Sequence, residues 1–229
     1  MRTLNQFTAA PWRNNYVTYR RFLLDAFLRE FSPEMLGVVI DLGGKRSQKR
    51  GTFQPPEQQA DMWLYINLDI QTQPNIFADV TKTPLKANIA DVIICTEVLE
   101  HLPDPQCCVN EISRLLHVGG VAFVTTPFFY PVHGDPQDYQ RFTEDGLRYL
   151  FRNFETVDVY RMGGYAGVMG LMLELGLPGV EENSLSHKIL RWMLKWISRW
   201  LCRYDVAQFG RENKVWSAFT TGYFVRAIR

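Results

Sequence analysis

The 229-residue sequence lacks the features that define several large protein classes. Its four cysteines, Cys95, Cys107, Cys108 and Cys202, make no CxxC pair and no disulfide-like spacing. That excludes a disulfide-stapled scaffold and points to a reducing cytoplasm. The four histidines, at 101, 117, 133 and 187, follow no zinc-binding spacing, so no metal is expected. No apolar run reaches the roughly 18 residues of a membrane span, and the polar N-terminus reads as having no secretory leader. With 46% hydrophobic and 21% charged residues the chain is an ordinary globular sequence, long enough for one domain with a sizeable core. The net charge of +1 gives no case for a nucleic-acid partner, and none is expected. The charge is unevenly placed, however. From His187 to Arg229 nine Lys/Arg face only Asp205 and Glu212, and the rest of the chain is acidic. A basic C-terminal part suits an anionic contact.

What the chain does contain is a succession of short apolar runs that end in acids. Residues 14–31 read as an amphipathic helix with Leu23, Phe27 and Phe31 inward and Arg20, Arg21, Arg29 and Glu30 among the polar positions. Ser32-Pro33 ends it. A strand over Gly37–Asp41 then runs into Gly43-Gly44, and strands over Trp63–Asp69 and Asn75–Asp79 follow. The polar segment 46–60, with Pro55-Pro56, does not read as a regular helix. Val92-Ile93-Ile94 reads as a strand buried on both faces, stopping at Thr96-Glu97. Pro105 opens a helix with Val109, Ile112, Leu115 and Leu116 inward, closed by Gly119-Gly120. A strand over Val121–Thr125 is followed by a helix capped by Thr143, with Leu147, Leu150, Phe151 and Phe154 on its inner side. Strands near 156–160 and 221–228 complete the pattern.

Alternating strands and helices imply an α/β fold with a doubly wound, mostly parallel seven-stranded sheet. The expected layout is an N-terminal helical lead over 1–36, a sheet core over 37–160 and 215–229, and a helical insertion over 161–214. Acids at several strand ends gather at the carboxyl edge, where such sheets bind ligands. The G-x-G-x-x-G loop of a nicotinamide dehydrogenase is missing, since Gly43-Gly44 is followed by Lys45, Arg46, Ser47 and Gln48. Asp41 would repel a pyrophosphate but suits a ligand carrying ammonium and sulfonium charges, such as S-adenosylmethionine. Asp69 is placed to accept ribose hydroxyls, and Asp79 could accept an adenine amino group.

Taken in order, the blocks Val39–Gly44, Asn67–Ile70, Ala78–Leu85, Asp91–Pro105 and Glu111–Gly120 resemble the class I S-adenosylmethionine-dependent methyltransferases. Over about 37–160 the resemblance implies the Rossmann-like methyltransferase fold. It also implies cofactor contacts from Asp41, Gly43 and Gly44 at the methionine part, Asp69 and Ile70 at the ribose, Asp79 and Val80 at the adenine, and Thr96-Glu97 beside the sulfonium. The block from Thr126 to Thr143 resembles a bacterial branch associated with surface-polysaccharide and glycoconjugate synthesis. The chain departs from the family pattern in its adjacent glycines and in Pro55-Pro56, which stands where a first helix usually runs. A catalytically inactive relative serving as a binding or scaffold protein is the alternative.

Methyl transfer needs an aligned acceptor, and a hydroxyl acceptor must lose a proton. His133 is the candidate base, with Asp138 orienting it or binding sugar hydroxyls and Arg141 pairing an anionic acceptor group or Asp138. The competing reading is a loop lock, in which Asp138 and Arg141 pair and His133 caps backbone. Glu100-His101 reads as a turn-shaping pair. The expected acceptor is a small molecule or glycan, in a form that can be lipid-linked. Within 187–203, Lys188, Arg191, Lys195, Arg199 and Arg203 share one helical face, opposite Ile189, Leu190, Met193, Leu194, Ile197 and Leu201 and flanked by Trp196 and Trp200. That pattern fits a helix lying on an anionic membrane surface, placing the protein at the inner face of the membrane. It fits equally a helix covering the sheet or a dimer face, and no oligomeric state is assigned.

Overall fold

The computed structural model describes residues 17–47, 49–134, 137–179, 184–208 and 215–229. The start of the predicted 14–31 helix, Gln48 of the glycine loop and parts of the 161–214 insertion lie outside the described residues. Seven strands form one sheet: β1 (Val38–Leu42), β2 (Met62–Asn67), β3 (Ile76–Phe77), β4 (Ala90–Thr96), β5 (Leu116–Pro127), β6 (Thr156–Met162) and β7 (Gly222–Ile228). Their order is β3-β2-β1-β4-β5-β7-β6. The first five are parallel, and β7 runs antiparallel to both β5 and β6. Strand order reverses between β1 and β4, which makes their carboxyl ends the switch point of the sheet.

The strands alternate between two apolar layers because side chains two residues apart share a face. Ile40, Leu42, Ile93 and Cys95 pack on one side. They meet α2 (Pro105–Leu115) and α3 (Glu144–Leu150) through Val109, Ile112, Leu115 and Leu147. Val39, Val92, Ile94 and Phe123 pack on the other side with α1 (Tyr19–Phe31). There Phe27 and Phe31 stack on Phe224 at ring distances of 5.1 Å each. Caps bound the helices as their sequences require. Thr18 accepts from the Arg21 amide, Asp104 from Gln106 ahead of Pro105, and Thr143 from Gly146.

Four expectations are corrected. Arg20 is buried, not on the solvated side of α1. Gly119-Gly120 does not close α2: the helix ends at Leu115 and passes directly into β5, where Gly119 takes φ +84° at a register shift against β4. Strand β3 is only two residues long, because Asp79 turns the chain immediately after it. Strand β6 runs on to Met162, so the excursion before β7 starts later than Arg161.

That excursion holds two helices, α4 (Tyr165–Gly176) and α5 (Leu185–Gln208). Their contact is made by small residues. A Cβ on Gly170 would lie 2.6 Å from Cys202 Sγ, and Ser198 Oγ donates to Gly170 O at 2.7 Å. The buried side of α5 is therefore Ser198, Cys202 and Asp205, and its large apolar side chains do not cover the sheet. Asp205 also accepts from Tyr19 Oη at 2.6 Å and from the Gly164 amide at 2.9 Å, tying the pair to α1.

Candidate active site at the carboxyl edge of the sheet

Asp41 ends β1 beside the switch point, and the loop after it folds back over its carboxylate. A Cβ on Gly44 would come within 2.1–2.4 Å of the Asp41 carboxyl atoms. Gly43 has φ +77°, and a Cβ there would meet Val98 at 2.4 Å. Neighbouring groups set the loop in place. The Asn67 amide donates to Gly43 O at 2.9 Å and Gly44 O at 3.0 Å, and Ser47 bonds to Gln71 O and Thr72 O. These bonds bring the glycine turn against the end of β2.

One Asp41 oxygen is buried with no hydrogen-bond partner among the described residues. Burial pushes its carboxyl up to about 7, against the opposing pull of Lys49 and Arg21. A buried acceptor without a donor is costly, so the position is matched to a cationic donor group.

The other sequence-predicted contacts lie along the same edge. Asp69 caps the turn over Ile70–Thr72, accepting from the Gln71 amide at 2.9 Å. Ile70, Leu68 and Phe77 are exposed apolar side chains beside it. Asp79 is exposed and accepts from Thr81 N and Thr81 Oγ1 at 2.8 Å each, while Val80 is buried in the core beneath. Thr96 is half-buried at the end of β4.

Glu97 differs from expectation: its carboxylate is already occupied. Arg20 grips it with both terminal nitrogens, one at 2.7 Å, and Thr125 Oγ1 donates to it at 2.7 Å. Burial opposes its ionisation, but Arg20 and Thr125 outweigh that and hold the carboxyl below its ordinary value. Glu97 adopts φ +57°, a left-handed conformation that turns the chain sharply after β4. What it can offer a ligand is its backbone.

Residues 128–134 and 137–141 follow β5 at the carboxyl end of the sheet. Asp138 is almost fully covered, accepting from Arg141 with both oxygens and from the His133 amide at 3.0 Å. The Arg141 guanidinium, aided by that amide, keeps its carboxyl well below the usual carboxylate range. Asp138 and Arg141 thus form the lock, and half-buried His133 has its Nδ1 3.2 Å from the Pro131 carbonyl, as the lock reading expects. His133 packs its ring edge-to-face on Tyr130 at 5.2 Å and on His101 at 5.1 Å.

Sequence reasoning missed three participants. Arg20 arrives from α1, 77 positions before Glu97. Asp25, also on α1, is fully buried and accepts from Thr52 N, Thr52 Oγ1 and Phe53 N. It anchors the non-helical segment that replaces a first crossover helix. Glu100 is fully buried beside His101, and neither carboxylate oxygen has a hydrogen-bond partner among the described residues. The only signal for it was its place three residues after Glu97 in Glu97-Val-Leu-Glu100-His101. A cleft lined by Glu34, Asp91, His117 and Arg226 lies at the opposite, amino edge of the strands.

Known proteins resemble parts of this sequence and its fold. Residues 56–124 match a protein family described as a methyltransferase domain. A stretch of 36 residues is 50% identical to the ubiquinone biosynthesis O-methyltransferase of Klebsiella pneumoniae, covering 16% of this chain and 15% of that protein. The match thus spans only a small part of the curated relative. A SAM-dependent methyltransferase from Archaeoglobus fulgidus aligns with a TM-score of 0.55 at 15% identity, over 91% of this chain and 94% of that one. Phosphoethanolamine N-methyltransferase 2 of Haemonchus contortus, solved with S-adenosyl-L-methionine, aligns with a TM-score of 0.54 at 14% identity, over 91% of this chain and 52% of that one. The fold is the Rossmann-like methyltransferase fold.

Proposed function

We propose that this chain is an S-adenosylmethionine-dependent methyltransferase acting on an oxygen or nitrogen of a small-molecule or glycan-type acceptor. The observation that carries this reading is Asp41: a buried carboxylate oxygen without a donor among the described residues, under a glycine turn that a single Cβ would fill. The methyltransferase-family match and the fold support it.

Asp41 would hold the cofactor's ammonium group, with the Gly43-Gly44 backbone close against the methionine part. Asp69 would accept the ribose hydroxyls, and exposed Ile70 and Phe77 would flank the base, with Asp79 and Val80 at its far edge. Thr96 and the turned backbone at Glu97 would border the sulfonium. When bound, the cofactor supplies an electrophilic methyl group, and the protein's own task is alignment of the acceptor. His133, in the loop after β5, would promote loss of the acceptor's proton. Asp138 and Arg141 are positioning residues that fix the loop carrying it.

The acceptor reading goes further. The Thr126–Thr143 block supports a glycoconjugate substrate, and α5 supports peripheral attachment to an anionic membrane where a lipid-linked substrate would reside. Trp192, Trp196 and Trp200 are 68%, 59% and 53% exposed, with Lys188, Lys195 and Arg203 alongside on the helix. Aromatic side chains flanked by basic ones suit a membrane interface.

Isothermal calorimetry with S-adenosylhomocysteine tests the core of the reading, with binding expected in the micromolar range. No heat of binding at millimolar ligand overturns it and leaves a scaffold role. His133→Ala should then lower turnover with the true acceptor while leaving cofactor binding intact; unchanged turnover removes His133 from the chemistry.

A further inference from the structure

Glu100, His101 and His133 come together at the carboxyl end of the sheet although 33 residues separate Glu100 from His133 in the chain. One ligand atom from each lies within 4.8 Å of the other two. We propose that these three side chains bind a first-row divalent transition-metal ion, such as Mn²⁺, Fe²⁺, Co²⁺ or Zn²⁺, with open positions for an acceptor oxygen. Two imidazoles and one carboxylate form a donor set that such ions favour.

Three observations support the assignment. The first is Glu100 itself, which is fully buried with both carboxylate oxygens unpartnered among the described residues. A buried carboxyl group left without a hydrogen bond is costly, and a bound cation would give its oxygens a partner. The Arg20 and Arg141 guanidinium groups nearby are already committed to Glu97 and Asp138.

The second is the state of the imidazoles. His101 Nδ1 lies against the Gln137 carbonyl, and His133 Nδ1 lies 3.2 Å from the Pro131 carbonyl. A carbonyl partner requires an N–H at Nδ1, so in the neutral form of each ring the lone pair is on Nε2. Histidine ligands are commonly prepared for metal in this way. His101 Nε2 is 3.8 Å from Glu100 Oε1.

The third is bracing of the two halves. The Tyr139 amide donates to Glu100 O at 2.8 Å, and Gln140 Nε2 donates to Leu102 O at 2.8 Å. The 137–141 segment is thereby stitched to the Leu99–His101 turn, and the Asp138 lock holds His133 above it. Two ligands at roughly 2.1 Å from one ion stand at most about 4.2 Å apart, and the 3.8 Å between His101 Nε2 and Glu100 Oε1 already lies within that span.

The site's consequence rests on the methyltransferase reading; its existence does not. An ion there lowers the pKa of a coordinated acceptor hydroxyl, so His133 would act through the metal as its ligand. The proton then leaves the coordinated oxygen for solvent, that oxygen bonds to the methyl carbon, and the carbon–sulfur bond breaks to give the thioether.

The test is titration of chelator-treated full-length protein with Mn²⁺, followed by electron paramagnetic resonance, with Zn²⁺ competition against a chelating dye in parallel. One ion per chain is expected, with His101→Ala and His133→Ala each weakening it by about tenfold or more. Excess Mg²⁺ should not compete. Equal binding by wild type and the His101→Ala/His133→Ala double variant overturns the site. Circular dichroism confirms folding of each variant; if Glu100→Gln fails to fold, the two histidine variants still decide. Calorimetry with S-adenosylhomocysteine on the same samples separates the readings. Ion binding without cofactor binding sinks the methyltransferase reading alone, and cofactor binding without ion binding sinks the metal site alone.

Discussion

Arg20 of α1 holds Glu97 at the end of β4 through both terminal guanidinium nitrogens, so the N-terminal helix is clamped to the switch point of the sheet. The pair is well covered, with side-chain exposures of 6% and 21%. Removing one member leaves the other charge stranded. Arg20→Ala should cost about 3 kcal/mol in urea denaturation, and an Arg20→Ala/Glu97→Ala double variant should cost less than the two single changes together. Because Glu97 is held below its ordinary value, its stabilisation is present at neutral pH and is lost as pH falls through that depressed value.

Asp41 predicts the opposite pH dependence. Burial raises its carboxyl to about 7, so its contribution to stability is fully present below the ordinary carboxylate range and is lost as pH rises through about 7. Asp41→Asn should therefore raise the melting temperature more at pH 8 than at pH 5. Cofactor binding should show the mirror image. Between about pH 5 and 7 affinity for S-adenosylmethionine should rise by up to about tenfold per unit as Asp41 ionises, and Asp41→Asn should flatten that slope in calorimetry.

A Cβ at Gly44 cannot coexist with the present Asp41 side chain. Gly44→Ala should displace the carboxylate and weaken cofactor binding by about tenfold or more, equivalent to roughly 1.4 kcal/mol, with little change in unfolding midpoint. Full-strength binding in calorimetry would show that the turn does not approach the ligand.

Asp138 is the hub of the loop after β5, bound to Arg141 and to the His133 backbone. Asp138→Ala should leave cofactor affinity unchanged and reduce kcat with the true acceptor by about a hundredfold through misplacement of the 131–141 loop. Steady-state kinetics set against calorimetry distinguishes this from general unfolding.

The exposed aromatic stripe on α5 predicts binding to anionic vesicles. Trp192→Ser/Trp196→Ser/Trp200→Ser should abolish co-sedimentation at low salt and leave the melting temperature nearly unchanged, since these side chains are not in the core. Failure of wild type to sediment at low salt, where attraction is strongest, would remove the membrane role.

The sequence alone determined the two faces of each strand. Within β1, Ile40 and Leu42 fall on the face opposite Val39, and within β4, Ile93 and Cys95 fall opposite Val92 and Ile94, because side-chain alternation in an extended chain is local. The pairing of the two strands then puts the matching sets in one layer. The same locality made the Thr143 and Pro105 helix starts legible, and the acids at Asp41, Asp69 and Asp79 fell at the carboxyl edge once strand direction was known. Tertiary structure decided which charged groups meet. Arg20 looked like a solvated helix residue until α1 docked it against Glu97, and Glu100 looked like a turn residue until burial stripped it of partners. Gly119 looked like a helix cap until β5 began three residues before it. Each of these depends on a contact between elements distant in the chain, which no local pattern of residues encodes. The meeting of Glu100 and His101 with His133 is the clearest case: spacing along the chain showed no metal site, and only the docking of the 137–141 segment on the turn after β4 places the three together.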